Sequence, residues 1–422
     1  MTLQLKQLNN YERELLSKSS RLILCDIAAS NLERPLPDVE ADWEEIFQAT
    51  GRNGLLGLTY RYLKYGYSRD IPPSEFRQSV QKAYRLSALK TAQMYRKINP
   101  VLNELTKSGI EYLVVKGPIL GHLVYSEPTL RSFNDLDIVV RERDWSAMHQ
   151  QLLKIGFIAD HSLPAPPPKL APGDIIYELK YWHRESRLLV EVHYDDLLNA
   201  GLASRDIEAF WQRAITTEID GVSVKALSLE DQLIHLAMHA HYHGYTRLNW
   251  FSDIALLIQR YQNSLDWDQF CQTVHAEEAE VGVYYTFYYL SLMMGVTVPT
   301  EVFDQVCPDP FRRWWHDYYF PTSKIISLEP MYRADFSFYF TPLFKRLIPD
   351  LLVMGRRREK FHYLARLTFP SRSWLAHYYK LQDPKQITLH RILHLFKLTY
   401  HYLSEVAKKT TGMPLDTKRK SK

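Results

Sequence analysis

Glycine is scarce in this chain: 16 in 422 residues, about half the usual share of roughly 7%. That excludes collagen-like repeats, and beside 28 tyrosines it reads as a mostly helical protein. Cysteine is scarcer still. Cys25, Cys271 and Cys307 are odd in number, far apart and without CxxC spacing. They exclude a disulfide framework or a zinc ribbon and are expected as buried thiols in a reducing compartment. No apolar run approaches the roughly 18 residues of a membrane span. The opening MTLQLKQLNNYERELL lacks the apolar stretch of a secretory signal, so the expected compartment is the cytoplasm and no membrane partner is expected. What remains, 46% apolar and 24% charged residues, is an ordinary globular composition.

The formal net charge of +4 invites a nucleic-acid reading and does not support one. Lys408, Lys409, Lys418, Arg419, Lys420 and Lys422 oppose only Asp416 in the last fifteen residues, so the rest of the chain is close to neutral. The basic balance belongs to a tail expected to be solvated and disordered, residues 408–422. Nucleic acid is not expected as a partner.

Hydrophobic spacing divides the remainder. Residues 1–107 read as helical, with a helix opening at Tyr11, another from Trp43, and a long one from Pro73 or Ser74 to Leu105. After Gly109 the period changes. Ile110–Val115 is a β-branched run ending at Lys116-Gly117, a short helix covers Ile119–Tyr125, and Asp135–Val140 is a second strand. A helix over Trp145–Ile155, a strand start at Gly156 and a proline-rich loop, His161–Gly173, follow. Strands are then expected over Ile175–Trp182 and Leu188–Tyr194. From Leu227 the pattern is helical to about Lys408, broken at Pro299, Pro308, Pro321, Pro330, Pro370 and Pro384. The fold class expected is α+β, predominantly helical, with a small mixed sheet in residues 108–226 held between helical regions 1–107 and 227–407.

Chemistry concentrates in that sheet. Asp135 and Asp137 lie two apart on a strand and share a face, with Leu136 and Ile138 packed behind. Two like charges so close call for a cation between them, typically a hard divalent ion that keeps positions open for phosphate. Upstream, Gly117 at a strand-to-helix turn lets a phosphate approach the backbone, and Lys116 adds a point charge. Downstream, Glu191 interrupts an apolar strand and is costly there unless paired or metal-bound. His193 shares its face. Three carboxylates from two strands beside a phosphate cradle describe a two-metal phosphoryl-transfer site.

These residues also carry a resemblance. Val115-Lys116-Gly117, Tyr125, Pro128, Arg131 and Asp135-Leu136-Asp137-Ile138-Val139-Val140 resemble the polymerase-β-type nucleotidyltransferase superfamily. More narrowly, they are similar to a bacterial family of uncharacterised nucleotidyltransferases with Lys-Gly in place of the commoner Gly-Ser. Leu236–Asp253 and Leu367–Tyr379 resemble that family's downstream helical segments. The resemblance implies a nucleotidyltransferase core and NTP-dependent transfer of a nucleotidyl group, with ATP the expected donor, pyrophosphate released and the acceptor unknown. It implies that Asp135 and Asp137 hold two Mg²⁺ ions, Mn²⁺ being an alternative, with Glu191 as third carboxylate and ligand. Lys116 and Gly117 would contact the nucleotide phosphates; Arg131 would brace the loop or touch phosphate. Pro118 departs from the Ser of many superfamily members, removing a hydroxyl and an N–H. Asp195 competes with Glu191 as the third acid.

His235, His239, His241 and His243 crowd nine residues. His235 and His239 have the i, i+4 spacing of zinc ligands, but no HExxH and no nearby cysteine accompany them. A substrate-facing role for His193, His239 and His243, with Arg247 and Asp253, is the stronger functional reading; a helix face of hydrogen-bonded histidines is the plain one. The Arg356–Arg358 run reads as a solvated helix face. The competing function is a catalytically inactive nucleotide-binding or scaffold protein that keeps the fold.

Overall fold

The computed structural model describes residues 19–33, 41–67, 69–159, 178–194, 197 and 206–328, with further residues between 360 and 396. The described residues up to 328 belong to one compact unit and those from 360 onward to a second. The tail 408–422, the proline-rich segment 161–173, the helix expected at Tyr11, the Arg356–Arg358 run and Asp195 lie outside the described residues.

Among the described residues the first unit opens with four helices: α1 (Ser19–Ala28), α2 (Trp43–Arg52), α3 (Leu56–Tyr65) and the 34-residue α4 (Ser74–Lys107). Asp42 caps α2 by accepting from the Glu45 N–H at 2.9 Å, the role its short carboxylate suits best. Pro73 stands just before α4, where its missing N–H costs nothing. The αβ portion follows: β1 (Leu113–Val115), α5 (Gly117–Leu123), β2 (Asp135–Val140), α6 (Trp145–Lys154), β3 (Phe157–Ala159), β4 (Glu178–His183), β5 (Leu189–Tyr194), α7 (Ile207–Arg213), β6 (Ile215–Ile219) and β7 (Val222–Ala226). Then come α8 (Leu229–Tyr242), α9 (Leu248–Tyr261), α10 (Trp267–Ala276), α11 (Glu280–Met294), α12 (Thr300–Gln305), α13 (Pro310–Tyr319) and α14 (Thr322–Ile326). Pro299 and Pro321 each stand at a helix start, where the sequence placed breaks, and Pro310, two residues past the break at Pro308, opens α13.

The strands form one mixed sheet in the order β3-β4-β5-β2-β1-β7-β6. β2 sits at its centre, parallel to β5 and antiparallel to β1. The sheet is larger than the sequence reading made it. β6 and β7 were not expected as strands, although Asp220-Gly221 between them is the strongest short hairpin signal there is. Both turn residues adopt positive φ, 44° and 80°, as a primed turn requires. On the far face Leu136 and Ile138 are fully buried. On the near face Leu113, Val115 and Val139 pack with Leu197, Phe210, Trp211 and Leu227, so the acidic end of β2 grades directly into core.

In the second unit, residues 385–396 are helical. The Tyr379 hydroxyl meets Nδ1 of His394 at 2.9 Å.

Candidate active site

Strand register assembles the site. Asp137 on β2 stands opposite Glu191 on β5, Glu191 opposite Lys180 on β4, and Val115 on β1 opposite Asp137. Cross-strand partners share a face, so one row across four strands reads Val115, Asp137, Glu191, Lys180. Just beyond Val115 the chain turns sharply at Lys116, whose φ of 57° is uncommon for a side chain with a Cβ and costs about 1–3 kcal/mol. The turn aims the lysine back over the sheet.

The contacts are short. Lys116 Nζ donates to Asp137 Oδ1 at 3.1 Å, and His193 Nε2 meets the same oxygen at 3.0 Å. Lys180 Nζ lies 2.9 Å from Glu191 Oε1. Burial alone would raise the Asp137 carboxyl, but Lys116 and His193 together outweigh it and hold the group below the ordinary carboxylate range. Asp135 behaves oppositely: burial first, and the Asp137 charge second, push its pKa up. One oxygen or nitrogen from each of Asp137, Glu191 and His193 lies within 4.8 Å of the other two. Among the described residues this is the group able to hold a metal ion; Asp135 is not in it.

Gly117 has a packing reason. A Cβ there would come within 2.9 Å of the Phe133 Cβ. Pro118 accepts a hydrogen bond at its carbonyl from the Tyr95 hydroxyl, 3.1 Å, tying the turn to α4.

Arg131 and Asp253, expected separately at nucleotide and substrate, meet each other. The guanidinium donates to both carboxylate oxygens of Asp253, Nε at 3.1 Å and Nη2 at 2.7 Å, and Nη1 donates to the Ser132 carbonyl. The Tyr125 hydroxyl donates to Asp253 Oδ1 at 2.7 Å. Asp253 is wholly buried, and such a charge persists only when paired and hydrogen-bonded. The cluster pins the Tyr125–Asp135 loop onto α9, the bracing alternative read from the sequence.

His239, His243 and Arg247 gather around Trp250. The ring centres lie 5.1 Å from Trp250 for His239 and 5.3 Å for His243, and the Arg247 guanidinium is 5.9 Å from the indole. Burial, then His243 and Lys116, keep His239 neutral. His235, one turn earlier, bonds through Nδ1 to the Leu197 carbonyl. Burial first and then Lys116 lower it to about 3. His241 turns elsewhere, bonding the Tyr245 hydroxyl at 2.7 Å, which in turn lies 3.3 Å from His316. The histidines therefore do not converge on one ion. Lys180 and Trp250 were not singled out from the sequence; His235 was weighed there for its i, i+4 spacing with His239, and in the structure it bonds the Leu197 carbonyl.

No helix among the described residues is long and apolar enough to cross a membrane. No curated protein sequence matches the chain. A solved structure, an antigenic nucleotidyltransferase-like protein from Paracoccidioides brasiliensis, shares 19% identity over 51% of this chain and 98% of its own. The TM-score between the two is 0.33. The family model described as uncharacterised nucleotidyltransferase matches residues 39–295, a span that contains every described side chain of the site. The chain belongs to that family of uncharacterised nucleotidyltransferases.

Proposed function

We propose that the protein is a divalent-cation-dependent nucleotidyltransferase. It moves a nucleoside monophosphate, AMP from ATP, onto a nucleophile of a small molecule, peptide or protein and releases pyrophosphate. The observation that carries this reading is the registered pair Asp137 and Glu191, two carboxylates on adjacent parallel strands with Lys116 bonded to the first. Asp135, Asp137 and Glu191 would hold the cation; their oxygen donors suit Mg²⁺. When bound, such an ion neutralises charge on the reacting phosphate and acidifies the nucleophile.

The chain's own residues supply the rest. Lys116 binds phosphate oxygens, and Gly117 keeps side-chain bulk away from them. Glu191 orients the acceptor and takes its proton as the acceptor atom bonds the α-phosphorus and the α–β bridging oxygen leaves with pyrophosphate. His239, His243 and Arg247, around Trp250, face the substrate. Arg131 acts from behind, holding the loop that delivers Asp135.

The test incubates full-length protein with α-labelled ATP, Mg²⁺ and a cell extract. A discrete labelled acceptor is expected, lost in Asp137→Asn with circular dichroism unchanged at the assay temperature. Labelling that survives in the variant sinks the proposal. A nucleotide-binding scaffold without turnover is the second reading. It is favoured by the internal partners already held by both carboxylates, Lys116 and His193 on Asp137 and Lys180 on Glu191. Calorimetric nucleotide binding that is indifferent to divalent cation, with no product from any acceptor, would establish it.

A further inference from the structure

We infer that His193 is a metal ligand, and that the cation site formed by Asp137, Glu191 and His193 selects a first-row transition ion over Mg²⁺. The inference rests on the cation-dependent site proposed above, puts His193 in place of Asp135 among its ligands and moves its metal from Mg²⁺ to the transition class.

Geometry comes first. His193 Nε2 stands 3.0 Å from Asp137 Oδ1, and the Glu191 oxygen completes a triangle with no side beyond 4.8 Å. Two donors on one ion, with bonds of roughly 2.1 Å, sit about 3 Å apart along an edge of the coordination polyhedron. The Asp137–His193 separation already has that value. A side-chain rotation that releases Glu191 from Lys180, which is 41% exposed, brings its carboxylate toward the same point, where the ion takes over the place of the Lys116 ammonium beside Asp137.

The scaffold is rigid. His193 and Glu191 lie two residues apart on β5 and so share a face; Glu191 is in register with Asp137 on the central strand. All three donors come from strands inside the sheet, where ligand positions are held better than on loops. Asp137 and His193 are only 4% and 3% exposed. Histidine there also replaces what a Mg²⁺ site would use. Asp135, the other carboxylate of the DxD pair, is outside the triangle, and an imidazole nitrogen is inside it.

The chemistry then decides the ion. Mg²⁺ takes oxygen ligands and dehydrates reluctantly. Imidazole suits the transition ions, whose affinity for nitrogen-containing sites rises along the series from Mn²⁺. A set of two carboxylates and one imidazole gives up little for Mn²⁺ and much for Mg²⁺.

The experiment uses metal-stripped full-length protein and Mn²⁺ alone, without nucleotide. Electron spin-echo modulation is expected to show a directly bonded ¹⁴N on the bound Mn²⁺, lost in His193→Gln and kept in His235→Gln. Mg²⁺ competition is expected to require at least about tenfold excess in the wild type, and the Mn²⁺ preference to collapse in His193→Gln because Mn²⁺ affinity falls while Mg²⁺ affinity does not. An outer-sphere histidine that only steadies Asp137 would weaken both ions alike, by roughly 10- to 100-fold. Equal weakening overturns the inference, as does bound Mn²⁺ without a coordinated nitrogen, or no Mn²⁺ binding. The wild-type spectrum decides the point even if the variant fails to fold. Nitrogen-coordinated Mn²⁺ without nucleotidyl transfer sustains the inference and removes the function; transfer with Mg²⁺ and no nitrogen signal does the reverse.

Discussion

At Asp135, burial and the neighbouring Asp137 charge raise the carboxyl pKa, whereas Asp137 is held low against its own burial by Lys116 and His193. The two residues should therefore respond to neutralisation with opposite signs. A carboxyl raised on folding lowers stability above the ordinary range, near pH 4, and the penalty is absent below it. Asp135→Asn removes the penalty, so at pH 7 the metal-free variant is expected to be more stable than the wild type, read as a higher thermal midpoint. The gain should vanish below about pH 4. Asp137 contributes stability that is complete above that range and is lost progressively as pH falls from it toward the depressed pKa of the folded state. Asp137→Asn at pH 7 is expected to cost roughly 2–3 kcal/mol, because a buried ammonium and an imidazole lose their anion. A chemical denaturation series of both variants at pH 3.5 and pH 7 checks the pair. The DxD motif was legible because strand periodicity is local. Glu191 and His193 were both candidates from the sequence, but their partners were not legible, since only register shows that His193 meets Asp137 and Glu191 meets Lys180.

The loop between Tyr125 and Asp135 depends on elements far along the chain. Its anchor, Arg131, closes on Asp253 122 residues away, and no local pattern pairs those two. From the sequence each was a ligand candidate; in the structure each satisfies the other. Asp253→Asn leaves a buried guanidinium without its counter-charge and is expected to cost about 3–5 kcal/mol, measured by urea unfolding. Gly57 on α3 supports the same loop from the other side. A Cβ there would collide with the Leu130 backbone, which unlike a side-chain tip cannot rotate away. Gly57→Ala is expected to destabilise by about 1–3 kcal/mol and to weaken nucleotide binding with it, because Arg131 follows Leu130 directly. Helix starts were the most readable elements, since Asp42, Pro73 and Pro310 act within one turn. The β6–β7 hairpin shows the opposite failure: its Asp-Gly turn was plain, but its strands, ITTEI and VSVKA, are short and half polar and do not announce themselves.

Across the whole molecule, a cation held at the proposed site would link binding to folding, because the acidic pair sits on β2 and β5 in the middle of a seven-stranded sheet. A cation at 100 times its dissociation constant should add about 2.7 kcal/mol of stability. Thermal scans with Mn²⁺ and with a chelator should differ for the wild type and coincide for Asp137→Asn. The mostly helical character and the position of the αβ portion were legible from composition and period. The strand order was not, since it joins β2 to β5 and β1 to β7 across long connections. The row Val115, Asp137, Glu191, Lys180 runs at right angles to its strands, and this sets which length changes the protein tolerates. Residues added between strands leave the row untouched, however many they are. One residue added inside β5 ahead of Glu191 turns that carboxylate to the opposite side of the sheet and leaves Lys180 facing the wrong neighbour. In descendants of this chain, loop lengths are free to drift, while the spacing within β1, β2, β4 and β5 is constrained to the residue.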